Sequence, residues 1–222
     1  MRVSGRRLLR GLVPLVTLSA LAASCSLGDG TGDVRSDYLY AESCWEGGYD
    51  LRPDFFAAVP FRNALEIRIQ RGGDLEDRSD GMTVLIDDVA DVRQNHLGQP
   101  VNVTLPRGVH PPGVPIGALC GPDGCVESGV HVALYLLNSC HNENTVLYGL
   151  SGTVTFKQLF SGDPNEKDAS KKLTEADFDI MVGDPQLIEL SGPDAYTIPH
   201  QSHVVGRFRF FFQRGQPAQP FP

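Results

Sequence analysis

Apolar and polar residues alternate along most of this chain with a period of two. Leu65, Ile67 and Ile69 alternate with Glu66, Arg68 and Gln70, which predicts a strand over 61–70 with one wet face. Met82 to Ile86, entered through Asp80-Gly81, predicts a second strand, and Val101, Val103 and Leu105 predict a third. Val130 to Leu137 is apolar on both faces apart from His131, the signature of a central strand covered on both sides. Val146 to Phe156 continues the pattern, with Gly149 and Gly152 suggesting a bend or bulge. Phe178, Ile180 and Val182 share a face, as do Phe208, Phe210 and Phe212 in 204–213. Trp45, Tyr49 and Leu51 predict a further strand over 45–51. No long segment carries a helical period; Ser170 to Asp177 predicts one short turn capped by Thr174. Short strands between Gly, Pro and Asp turns predict an all-β fold, an antiparallel β-sandwich of about seven to eight strands. The Pro-rich connection 106–125 reads as its Greek-key crossing.

The N-terminus follows a different pattern. Arg2, Arg6, Arg7 and Arg10 precede an apolar run from Leu12 to Leu21, then Ala22, Ala23 and Ser24 lead into Cys25. This order is that of a secretory signal. The apolar run is too short for the ~20 residues of a membrane-spanning helix. The small residues before Cys25 resemble the lipobox of bacterial lipoproteins, although Ala22 stands where Leu is usual and Leu21 lies one position back. That resemblance implies cleavage before Cys25 and acylation of it. The chain then divides into a signal peptide over 1–24, a lipidated Cys25 with a Gly-rich tether over 25–42, a β-domain over 43–213, and a Pro-rich tail over 214–222.

Charge narrows the partners. Removing 1–24 takes away four arginines and no acid, leaving 15 basic against 27 acidic residues, a formal charge of −12. Such a surface repels phosphate backbones, so nucleic acid is not an expected partner. Membrane contact is expected only through the acyl anchor. Hydrophobic residues at 41% suffice for a core.

With Cys25 acylated, Cys44, Cys120, Cys125 and Cys140 remain, an even number for an oxidising compartment. Of three pairings, the Pro122-Asp123-Gly124 turn favours Cys120–Cys125. That leaves Cys44–Cys140, tying the start of the domain to the end of the central strand. The spacing does not suit a zinc site.

Other chemistry-bearing residues have structural readings as well. His200 and His203 are weak metal candidates, without a third ligand in view. His131 reads as a core or cross-strand partner; His141 beside Cys140 would matter only for a free thiol. Asp163, Asn165, Glu166 and Asp168 are spaced somewhat like a calcium loop but lack its central Gly and terminal Glu. Asp74, Glu76, Asp77 and Asp80 read as a wet hairpin. Phe211 faces away from its aromatic neighbours. Neither a nucleophile elbow nor a phosphate-binding glycine loop occurs, and no cofactor is expected.

Cys44-Trp45-Glu46-Gly47 with Tyr49-Asp50-Leu51, and Gly206-Arg-Phe-Arg-Phe-Phe-Phe-Gln-Arg-Gly215, resemble uncharacterised lipoproteins of gliding, predatory soil bacteria such as myxobacteria. No activity comes with that resemblance. The expectation is a lipid-anchored envelope protein that binds or scaffolds an envelope protein or glycan. Ser26 after Cys25 points toward the outer membrane by analogy with lipoprotein sorting. An envelope hydrolase or carbohydrate-processing enzyme is the alternative, and a carrier of an apolar ligand the second alternative.

Overall fold

The computed structural model describes residues 30–72, 79–106, 109, 129–140, 145–160, 173–187, 189–190 and 196–211. These residues form an all-β protein with one short helix. In chain order the elements are β1 (Gly30–Ala41), β2 (Trp45–Leu51), β3 (Phe55–Phe61), β4 (Ala64–Gln70), β5 (Asp80–Ile86), α1 (Val89–Asn95), β6 (Pro100–Asn102), β7 (Val130–Leu136), β8 (Val146–Gln158), β9 (Leu173–Gly183), β10 (Glu189–Leu190), β11 (Tyr196–Thr197) and β12 (Ser202–Phe211).

The expected sandwich of seven to eight strands is not what forms. Ten strands make a single antiparallel sheet, ordered β2-β1-β12-β9-β8-β7-β5-β4-β3 with β6 on β8, and that sheet curls into a half-barrel. A separate two-stranded sheet pairs β10 with β11. The path from β3 to β12 is a meander, and the β1–β2 hairpin adds to its far side against β12. No Greek-key crossing is involved in this order. Alternation says only that one face is covered. Here the cover is the other half of the same sheet: Phe56 of β3 stacks on Phe210 of β12 at 5.8 Å across the core.

Leu65, Ile67, Ile69, Val84, Val132, Val154, Phe156, Ile180, Val204 and Phe208 fill the interior, each at most 1% exposed. β7 is buried along its whole length, as its apolar run predicts. The outer face near β4 is not wet as expected. Arg68 and Gln70 are 2% and 0% exposed. Arg68 Nε donates to the Tyr135 hydroxyl at 2.8 Å, and that hydroxyl donates to Gln70 Oε1 at 3.1 Å. A cross-strand polar layer thus takes the place of solvent.

The boundary of the domain also moves. Residues 30–41 are not tether but β1, paired with β12 on one side and β2 on the other. The glycines there serve close packing: a Cβ on Gly30 would sit 2.6 Å from the Phe56 ring and 2.7 Å from Phe210 Cβ. Val34, Leu39 and Ala41 complete the buried face.

Two local expectations change as well. Ser170 to Asp177 contributes no described helical turn, because β9 begins at Leu173. Thr174 and Ala176 face the core at 0% exposure, and the ladders to β8 and β12 take up the backbone. The helix that does form is α1. Asp88 caps it, accepting from Asp91 N at 3.0 Å, and Val89 and Val92 are its buried pair. Seven residues are too few for a helical period to stand out. Val101 and its neighbours form only a three-residue strand, with Val103 in an isolated bridge to Val130.

β2 and β3 are consecutive, yet they are the two free ends of the sheet. Only Arg52, Pro53 and Asp54 join them. The half-barrel is therefore open along a seam beside this connection.

Candidate functional site

A cleft of about 550 Å³ lies in that seam. Trp45, Gly48, Tyr49, Asp50 and Leu51 supply one wall from β2. Asp54, Arg71, Gly72, Ser79 and Asp80 supply the other, with Asn138 and Ser139 from the turn after β7. The walls are covalently joined, because Cys44 and Cys140 form a disulfide with Cα atoms 5.4 Å apart. Trp45 follows Cys44 directly, so the staple also sets the position of the indole.

The aromatic wall is fixed in orientation. Trp45 packs edge-on against Tyr49 with ring centroids 5.7 Å apart, and its Nε1 donates to the Gly47 carbonyl at 3.3 Å. Trp45 stays half-buried, whereas Tyr49 is buried. Among the described residues the Tyr49 hydroxyl has no hydrogen-bond partner. Burial pushes its phenol up from the ordinary value, and the nearby Asp80 and Tyr135 add to the shift.

The acids of the cleft differ in what remains available. Asp80 is spent on structure: it accepts from Asn138 N at 2.9 Å, Ser139 N at 3.0 Å and the Ser139 hydroxyl. The expected wet position for Asp80 is thus corrected, since it is 8% exposed and shapes the turn that carries Cys140. Asp50 is held by Arg52 through both oxygens. Asp54 accepts from Gly72 N at 2.6 Å through Oδ1 and is exposed. Asp54 is the carboxylate best placed to accept from a ligand.

Comparison with protein-family models, curated proteins and solved structures finds no match to this chain. The site must therefore be read from its own chemistry.

The other candidate groups are closed on one another. His131 is 6% exposed, with Nδ1 2.7 Å from the Thr104 carbonyl and Nε2 3.0 Å from Asp87 Oδ2. A carbonyl only accepts, so Nδ1 carries a proton, and Asp87 occupies Nε2. No ring nitrogen is left to take a proton from a substrate. This is the cross-strand partner that the sequence suggested. His203 pairs with Asp179 at 2.7 Å, while His200 stacks on Tyr40 at 4.4 Å. The two candidate metal ligands thus take separate partners. Among the described residues no cluster of three or more His, Cys, Asp or Glu could hold a metal.

A second hollow of about 350 Å³ lies over β1, β12, β9 and β8. Its charges alternate across the strands: Asp33 meets Arg207 at 3.2 Å and Arg35 at 2.8 Å, and Glu175 meets Arg209 at 3.4 Å. Lys157 bonds to Asp177, which raises the lysine's pKa. These cross-strand pairs stabilise the wet face of the sheet. Phe211 lies at its end, half-buried, with Arg209 over its ring at 5.6 Å.

Cys25, Cys120, Cys125, His141, Asp74, Glu76, Asp77 and the loop from Asp163 to Asp168 lie outside the described residues. Among the described residues no helix is long and apolar enough to cross a membrane.

Proposed function

We propose that the chain is an envelope binding protein, anchored by acylated Cys25 and taking its ligand in the seam cleft. The observation that carries the binding reading is the contrast between closed and open groups. Both ring nitrogens of His131 and the carboxylates of Asp50 and Asp80 are engaged by protein partners, and His203 Nε2 pairs with Asp179. The seam, in contrast, is lined by the half-buried Trp45 and by the exposed carboxylate of Asp54. That composition suits recognition rather than acid–base chemistry. A carrier of apolar ligand is disfavoured by the interior, which Phe156, Phe208 and Phe210 fill.

The anchor rests on the sequence pattern at 1–25, and Ser26 favours the outer membrane. Two measurements test the whole reading. A clickable palmitate analogue should label the wild type and not Cys25→Ser, and the variant should leave the membrane fraction. Esterase, glycosidase and peptidase substrates should give background turnover. Equal labelling of both chains removes the anchor; hydrolysis abolished by a single Asp or His substitution removes the binding reading.

A further inference from the structure

We propose that the seam cleft is an oligosaccharide site with Trp45 as its stacking wall. The proposal rests on the cleft being a binding site but does not depend on the anchor.

A sugar ring presents an apolar C–H face and a rim of hydroxyls. A protein that takes it needs an aromatic surface beside short polar side chains, which is the composition of this cleft. Trp45 is half-buried, locked by Tyr49 on one side and by the Cys44–Cys140 staple behind it. Such an indole offers area at little further entropic cost. The lining also includes Asp54, with Oδ1 bonded to Gly72 at the other end of β2, and Asn138, whose amide can donate and accept. The Tyr49 hydroxyl is buried beneath this wall, out of reach of a ligand, so Tyr49 serves to fix Trp45 rather than to bind.

The neighbouring backbone argues against a peptide strand as ligand. β2 is a free edge, but Gly47 at φ +140° interrupts it and the β1–β2 register slips between Ser36 and Leu39. A broken edge is a poor template for strand addition. The cationic lining is slight, with Arg71 the only Lys or Arg among the lining residues, so a polyanion is not favoured either.

Trp45 is the single tryptophan of the chain, so its emission reports on this wall alone. The intact chain, in a detergent without a sugar headgroup, is titrated with β-1,4-linked N-acetylglucosamine and glucose tetrasaccharides, an α-1,4-linked glucose tetrasaccharide and a mixed-sequence pentapeptide. Saturable change in emission is expected with at least one saccharide and not with the pentapeptide. Calorimetry should then show about tenfold weaker binding for Trp45→Ala, with Trp45→Phe recovering part of it. Trp45→Ala binding as well as the wild type, with its Cys44–Cys140 disulfide intact, overturns the proposal. So does a response to none of the saccharides, or saturable binding of the pentapeptide. The last result would leave the cleft a binding site and change only its ligand class.

Discussion

Cys44 and Cys140 bring together two points of the chain 96 residues apart, with their Cα atoms at 5.4 Å. One ends the β1–β2 turn and the other follows β7, so the bond spans the seam where the half-barrel is open. Sheet hydrogen bonds connect the same two regions only the long way round, through β12, β9 and β8. The disulfide is thus the short path between the walls of the cleft.

Removing it should be costly. The chain-entropy model assigns closure of a loop this long about 4–5 kcal/mol, with the mechanism itself dependent on the model. Cys44→Ala with Cys140→Ala should therefore lower the denaturant midpoint sharply and steepen the transition, because the unfolded chain is no longer cross-linked. Trp45 emission should also move toward that of an exposed indole, since its neighbour is no longer fixed. An unfolding free energy within about 1 kcal/mol of wild type would mean that β-pairing alone holds the seam.

Gly206 tests how closely β12 approaches its neighbours. A Cβ there would run into the Asp33 carbonyl oxygen of β1 and lie 2.5 Å from Phe178 Cζ of β9. The Asp33 carbonyl is backbone of a paired strand and cannot move without opening the β1–β12 ladder, whereas the Phe178 ring would have to swing aside. Gly206→Ala should cost about 3 kcal/mol, at the upper end for overpacking. Gly47→Ala makes a useful contrast, with nothing within 4 Å and only backbone strain at φ +140°. Chemical denaturation of the two variants compares them; equal losses would contradict the close approach.

These glycines also explain what the sequence hid. β4, β5, β8, β9 and β12 were legible because apolar residues recur at alternate positions in them, and β7 because its apolar run covers both faces. β1 was not, because Gly30 and Gly32 occupy inward positions beneath Phe56 where no side chain fits, and so they look like linker. The curl was illegible for another reason. Period two records that Leu65, Ile67 and Ile69 are covered, but not whether a second sheet or the far half of their own covers them. The cleft draws on residues from Trp45 to Ser139, joined only by tertiary structure. The one signal available was the Cys44–Cys140 pairing, which placed Trp45 beside the turn after β7.

Tyr49 gives a prediction in pH. Its phenol is held above the ordinary value by burial first, then by Asp80 and Tyr135. In the unfolded chain it ionises near pH 10, whereas the folded chain keeps its proton. The folded state then binds more protons, so stability is fully present below about pH 10 and falls as pH rises past it. Tyr135 is raised in the same direction by burial, with Arg68 opposing. Tyr49→Phe should therefore flatten the alkaline decline without abolishing it. At neutral pH it removes a buried hydroxyl that has no partner, so stability should hold or rise by about 1 kcal/mol. Urea midpoints from pH 7 to pH 11 provide the comparison. A loss of more than about 1 kcal/mol at pH 7 would show that the hydroxyl is bonded after all.

His131 tests the distinction between a lock and a catalyst. Its two nitrogens join three parts of the fold: β7, the Thr104 carbonyl after β6, and Asp87 between β5 and α1. Val103 bridges to Val130 beside it, and Thr104 N donates to the Val130 carbonyl at 3.1 Å. His131→Ala removes a buried ring and leaves the Thr104 carbonyl and Asp87 without this partner. The expected loss is about 2–3 kcal/mol. Asp87→Ala should cost less, about 1 kcal/mol, because that side chain is 34% exposed and solvent screens the pair. The double variant should lose less than the sum of the two, since each single change breaks the same contact. Hydrogen exchange adds a local readout: protection of the Thr104 amide should fall in His131→Ala while the β1–β12 ladder is unaffected. A catalytic base would behave in the opposite way, with His131→Ala folding normally and losing only a reaction. Wild-type stability in that variant would therefore remove the lock and bring the hydrolase reading back into contention.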